Sequence, residues 1–170
     1  MYNQANQSMN QSQTIILDFD STQLQFDNVL VDLKETIDIP TNGTNIVKVQ
    51  RVYVDIDTNL VPNPKALFIY LNDLPLKGLV FHTRLNCHNL IGVVPLQDNQ
   101  PFWYENSSDT SISNEIIDGR TFKSFSVKIT DEKGQPITFK TTPIIQLNIE
   151  KIAGGKPDTP RLLIQQAYNK

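Results

Sequence analysis

The chain is poor in the groups from which catalytic and metal centres are usually built. Its 170 residues include one cysteine, two histidines and seven glycines. With Cys87 alone, no intrachain disulfide can form, which fits a reducing compartment or a fold indifferent to redox state. No Gly-rich phosphate cradle, G-x-S-x-G elbow or G-x-G-x-x-G fingerprint occurs. There is no run of like charges. Net charge is -3 and the pI about 5.3, with lysines such as Lys123, Lys128, Lys133 and Lys140 scattered among strands and turns. That balance argues against direct contact with nucleic acid, which calls for a basic stripe. No stretch of about 18 apolar residues is present, so no membrane-spanning helix is expected. The opening MYNQANQSMNQSQ has neither a basic segment nor an apolar one, so it does not read as a secretory leader. Without such a leader, the sequons at Asn6, Asn10, Asn42 and Asn106 carry little weight.

What is present is alternation. Apolar residues make up 39% of the chain, and Asn, Gln, Ser and Thr fill much of the remainder. In TIILDFD, Ile15, Leu17 and Phe19 share one face, and LQFDNVLVDL and ETIDI continue the two-residue period of half-buried strands. Asn42-Gly43 marks a turn. In IVKVQRVYVDID the apolar parity switches: Val47 and Val49 lie on one phase, Val52, Val54 and Ile56 on the other. A switch near Gln50-Arg51 predicts a β-bulge or a crossing between sheet edges. ALFIYLN reads as a buried strand, and LPLKGLVFHTRLNCHNL as a loop with one short strand. LIGVVPL is a strand closed by Pro95, and residues 97–121 read as a long polar loop carrying the aromatic knot Phe102, Trp103 and Tyr104. FKSFSVKIT alternates cleanly, with Phe125, Val127 and Ile129 inward and Ser126, Lys128 and Thr130 outward. DEKGQP then supplies a hairpin turn, ITF a short return strand, and IIQLNIEK a last strand with Ile145, Leu147 and Ile149 inward. LLIQQAY, near the C-terminus, is a short helix or an added strand. Eight or nine short strands without a helix longer than two turns imply an antiparallel all-β sandwich or barrel.

Few residues suggest chemistry. A cupin-type metal site needs about three histidines and a carboxylate, and only His82 and His88 exist. Cys87 and His88 are adjacent, so on a strand they would face opposite ways; Cys87 reads as a small buried hydrophobe. The pairs Asp18/Asp20 and Asp55/Asp57 could serve a cation or a glycosidase, but they also match the solvent face of a strand whose Phe19 or Ile56 points inward. The sequence therefore predicts neither an enzyme nor a cofactor or metal. Phe102, Trp103 and Tyr104 are the candidate contact residues: exposed aromatics anchor interfaces and stack on sugars, and they also plug the open end of a sandwich.

The run SFSVKITDEKGQPITF…IIQLNIEK, with its alternating strands around a D-x-x-G-x-P-I turn, resembles the closing strands of single jelly-roll capsid proteins of icosahedral double-stranded DNA viruses. LQFDNVLVDLKETIDIP and the valine-rich strand after it are similar in style to their opening. The resemblance spans roughly residues 14–151 and is nearest the vertex (penton) proteins of viruses with a double jelly-roll major capsid protein, virophages and polinton-like and giant-virus relatives among them. It implies an eight-stranded jelly roll, here a domain over 14–152; by their own composition residues 1–13 read as a flexible N-terminal arm, disordered or ordering on a neighbouring subunit, and 153–170 as a flexible C-terminal tail. It further implies a homopentamer at each vertex, contacts to other capsid proteins such as a major capsid protein, and a place in the virion. The alternative is a lectin-like or receptor-binding sandwich using the 97–121 loop, with Trp103 and Tyr104 as stacking platforms.

Overall fold

The computed structural model describes residues 12–39, 44–57, 59, 64–74, 76–77, 89–97, 101–106, 113–116 and 121–152. The strands are β1 (Ser12–Asp18), β2 (Val29–Asp38), β3 (Thr44–Ile56), β4 (Ala66–Asn72), β5 (Leu76–Lys77), β6 (Leu90–Pro95), β7 (Phe102–Glu105), β8 (Ser113–Ile116), β9 (Thr121–Thr130) and β10 (Phe139–Ile152). Two antiparallel sheets face each other. One runs β1-β10-β3-β8-β5, with β7 also on β3; the other runs β2-β9-β4-β6. Every connection crosses from one sheet to the other except β7 to β8, so no two consecutive strands are paired. This is the jelly-roll arrangement. Ten strands fill eight jelly-roll positions, because β7 and β8 occupy successive stretches of the same β3 edge and β5 is a two-residue addition. Expected residues 1–13 and 153–170 differ slightly from the strand limits: β1 already begins at Ser12, and the chain before it and after Ile152 lies outside the described residues.

Period-two alternation places the core. On β1, Ile15 and Leu17 point inward; on β10, Ile145, Leu147 and Ile149 do the same; on β9, Phe125, Val127 and Ile129 answer them from the other sheet. Phe26 closes one end, fully buried between Phe19 and Phe139 with ring centroids 4.5 and 5.7 Å away, both edge-to-face. β4 is buried on both sides: Leu67, Ile69 and Leu71 join the main core, while Phe68 and Tyr70 form a separate cluster with Leu90.

The parity switch in β3 is a bulge. Gln146 of β10 opposes Arg51, yet the next residue, Leu147, opposes Val49, so Gln50 is the extra residue. Val49 and Val52 can then both face the core. The freed backbone is satisfied: Asn106 donates its N–H to the Gln50 carbonyl at 2.8 Å and its side-chain amide to the Val49 carbonyl at 3.3 Å.

Three expectations are corrected. Thr130, expected on the solvent face, is buried, because Pro136 folds back to bridge it. The DEKGQP turn forms as expected, with Gly134 at φ 80° and the Asp131 carboxylate accepting the N–H groups of Lys133 and Gln135, each at 2.8 Å. The return pairing beside it is short, however: Pro136 bridges Thr130 and the Ile137 N–H donates to the Ile129 carbonyl at 3.4 Å. Beyond Ile137 the chain leaves β9: Thr138 bridges Gln25 and Phe139 opposes Ile56 in the other sheet. ITF is accordingly no return strand on its own, and IIQLNIEK belongs to the same long β10, whose irregular register around Pro143 tolerates a residue without a donor. Finally, residues 97–121 are not simply a loop, since β7 and β8 lie within them.

The two sheets come close together at Gly92 of β6. A Cβ there would sit 2.7 Å from Val49 Cγ2 and 3.1 Å from Val49 Cβ on the facing sheet. Gly92→Ala should therefore cost about 1–3 kcal/mol of stability through overpacking, and adding Val49→Ala should recover part of that loss. Urea denaturation of the two single variants and the double variant measures the coupling.

Candidate functional site

The three aromatic residues singled out in the sequence lie on β7, a four-residue strand paired to the bulged half of β3: Phe102 opposite Val54, Trp103 opposite Tyr53, Tyr104 opposite Val52, Glu105 opposite Arg51. Because successive side chains alternate, the trio does not share one face. Phe102 is 8% exposed and belongs to the core; Tyr104 is half-buried against it. Trp103 points away from the core and is 63% exposed. It is held edge-on by Tyr53, centroids 5.5 Å apart. Beside it, Arg51 donates from Nε and Nη2 to Glu105 Oε1 at 2.9 and 2.6 Å. Arg51, Trp103, Tyr104 and Glu105 line an open cleft of about 460 Å³.

Trp103 does not stand alone. Tyr53 is opposite Ile144 of β10, and Ile144 is opposite Asp18 of β1, two residues from Ile16. Residues directly opposite in a ladder point to the same side, and diagonal neighbours remain within reach. Ile16, Ile144, Tyr53 and Trp103 thus form a band across four strands on the outer face of the six-stranded sheet. Ile16 is 64% and Ile144 41% exposed. A lone exposed isoleucine needs no explanation, but an aligned apolar band is the mark of a contact surface. Around it, charges are compensated within the sheet: Lys48 with Glu150 at 2.8 Å, Arg51 with Glu105, and Lys140 with Asp55 at 4.0 Å. Such a face sets paired charges and amide groups beside the apolar residues.

Of the band, only Trp103 was singled out by sequence. The others carry a legible signal, an apolar residue on the polar phase of an alternating strand: the second isoleucine of Ile15-Ile16, the first of Ile144-Ile145, and Tyr53 between Val52 and Val54. Asn106, which the sequence marks only as a sequon, instead ties down the bulge.

Asp20, Asp55 and Asp57 each have partners of their own, and the side chain of Asp18 lies outside those described. Asp20 caps a turn, accepting the Thr22 N–H and hydroxyl, and these bonds hold its carboxyl below the ordinary value. Asp57 accepts the Asn59 N–H, and Asp55 faces Lys140. At Glu132, burial pushes the carboxyl up, but backbone N–H groups, including those of Lys65 and Ala66, outweigh it and leave the group below its usual range. Both displacements favour the ionised form, opposite to what a general acid requires. Among the described residues no group of three or more His, Cys, Asp or Glu could hold a metal ion, and no helix is long and apolar enough to cross a membrane. His82, Cys87 and His88 lie outside the described residues.

No protein-family profile matches the chain, and no curated protein matches it in sequence. Among solved structures it is similar to the crystal structure of the selenomethionine-labelled mavirus penton protein, with a TM-score of 0.56 and 9% identity over 82% of this chain and 99% of that one. At this identity the likeness is one of fold.

Phe102 and Trp103 should separate stability from contact. Phe102→Ala should cost about 3 kcal/mol by emptying a core position. Trp103→Ala should change stability by no more than about 0.5 kcal/mol and instead weaken association. Urea denaturation and sedimentation velocity on the two variants check both halves.

Proposed function

We propose that this protein is a structural subunit of an icosahedral viral capsid, acting at the vertex as a homopentamer that contacts surrounding capsid proteins such as a major capsid protein. The observation that carries this reading is the jelly roll itself, whose likeness to the mavirus penton protein extends over 99% of that chain. The residues are in keeping with it. Their apolar and amide groups are suited to non-covalent contact, and carboxylates such as Asp20, Asp131, Glu105 and Glu150 are used in turns and ion pairs. Closing a ring requires two different patches on each subunit to fit one another. The band of Ile16, Ile144, Tyr53 and Trp103 supplies one such patch, with a tryptophan and a tyrosine of the kind that dominate interface energetics.

The cleft beside Trp103 favours a second reading, a glycan-binding module. An exposed, edge-braced indole flanked by an arginine–carboxylate pair offers a stacking surface with hydrogen-bonding groups at its rim. A glycan array probed with the wild type and Trp103→Ala separates the readings, because a vertex subunit needs no glycan signal.

Purified protein at micromolar concentration should sediment with five times the 19.3 kDa mass of the chain, and electron-microscope class averages should show fivefold rings. A monomer at all concentrations, with no incorporation into shells, would refute the vertex role.

A further inference from the structure

The two sheets end in free edges, and three of these are guarded. An unpaired strand edge invites pairing with another chain, and proteins blunt it by shortness, charge, proline or a bulge. The far edge of the six-stranded sheet is short, ending in β5 with two residues and β7 with four. β2 carries Asp32, Lys34 and Glu35 and breaks register between Asp32 and Ile37. β6 has an extra residue between Ile69 and Tyr70 of its partner and ends on Pro95. β1 has none of these. It is SQTIILD, seven residues in unbroken register with β10, without lysine, arginine, proline or bulge and with a single charge at its last position. Among the described residues nothing pairs with its other side.

We infer that β1 is a docking strand, and that its occupant is the C-terminal segment 153–170 of a neighbouring copy, added as a further strand to the six-stranded sheet. This rests on the ring reading above. The occupant is argued from composition and position. Ser12 of β1 opposes Glu150 of β10, so the segment that follows Ile152 leaves at the corner where β1 begins. Within it, LLIQQAY (162–168) is a seven-residue run free of charge and proline, equal in length to β1. The N-terminal residues 1–11 contain no β-branched residue and fit a strand less well. Eighteen residues can span up to about 60 Å when extended, enough to reach an adjacent subunit. A strand seated there would lie beside Ile16, the start of the exposed apolar band, so main-chain pairing and side-chain burial would act together. One copy's tail on the next copy's edge is a head-to-tail contact, the kind that closes a ring.

The test uses the full chain and two variants. Ile16→Lys places a guard on the edge at a side chain that is already 64% exposed. Ile164→Pro removes a ladder donor from the tail and changes no residue of the ten strands. Hydrogen exchange of the β1 amides that face away from β10 is followed beside sedimentation mass. The expected result is protection in the ring, loss of protection on dilution to monomer, and exchange at least about tenfold faster in both variants under ring-forming conditions. Rings whose β1 amides exchange freely would overturn the edge inference and leave the vertex reading standing. Protection that survives dilution would mean the tail sits on its own subunit, and protection that survives Ile164→Pro would mean another occupant; either result overturns it. Absence of rings at any concentration would instead sink the vertex reading on which it rests.

Discussion

The ladder between β3 and β10 is the constraint on which the structure depends. These are the two longest strands, thirteen and fourteen residues, and they lie side by side in the middle of the six-stranded sheet. Among the described residues β1 pairs with β10 alone, β7 with β3 alone, and β8 with β3 and the two-residue β5. One residue too many, Gln50, lets both halves of β3 keep valines in the core while its outward phase shifts. Without that bulge, a second half in phase with the first would turn Val52 and Val54 to solvent and bury Arg51 and Tyr53 in their place.

The same shift builds the outer face. With Gln50 displaced, Arg51 and Tyr53 fall opposite Glu105 and Trp103, and Tyr53 falls opposite Ile144. Core packing inside and an apolar band outside are thus two sides of one register. The exposed ion pairs around the band contribute little to stability, since such pairs are worth about 0–1 kcal/mol each. The band is a property of strands packed on the core rather than of a loop.

A jelly roll is a sensible scaffold for such a role. Because nearly every connection crosses between the sheets, the turns gather at the ends of the sandwich, and the faces and edges are left to neighbours. The chain also divides its edges: three carry devices that discourage pairing and one carries none. In a protein that must self-associate in one way only, that asymmetry is a form of specificity.

Much of the fold was legible along the chain, because alternation is a local consequence of burying one side of an extended strand. β9 could be read almost residue by residue, the bulge in β3 appeared as a parity switch, and the DEKGQP turn followed from its own side chains. Thr130, β7 and β8 could not be read this way: the first is covered by a proline six residues on, and the others exist because the edge of β3 offers them partners. The site was half legible, since Trp103 stood out while Ile16, Tyr53 and Ile144 looked like ordinary strand residues. By itself the sequence determined which of the longer segments are strands and which side of each is apolar, since both depend on neighbours two residues apart. Only the tertiary structure decided which strands pair, and so which outward residues meet, because every ladder joins segments that are not consecutive along the chain.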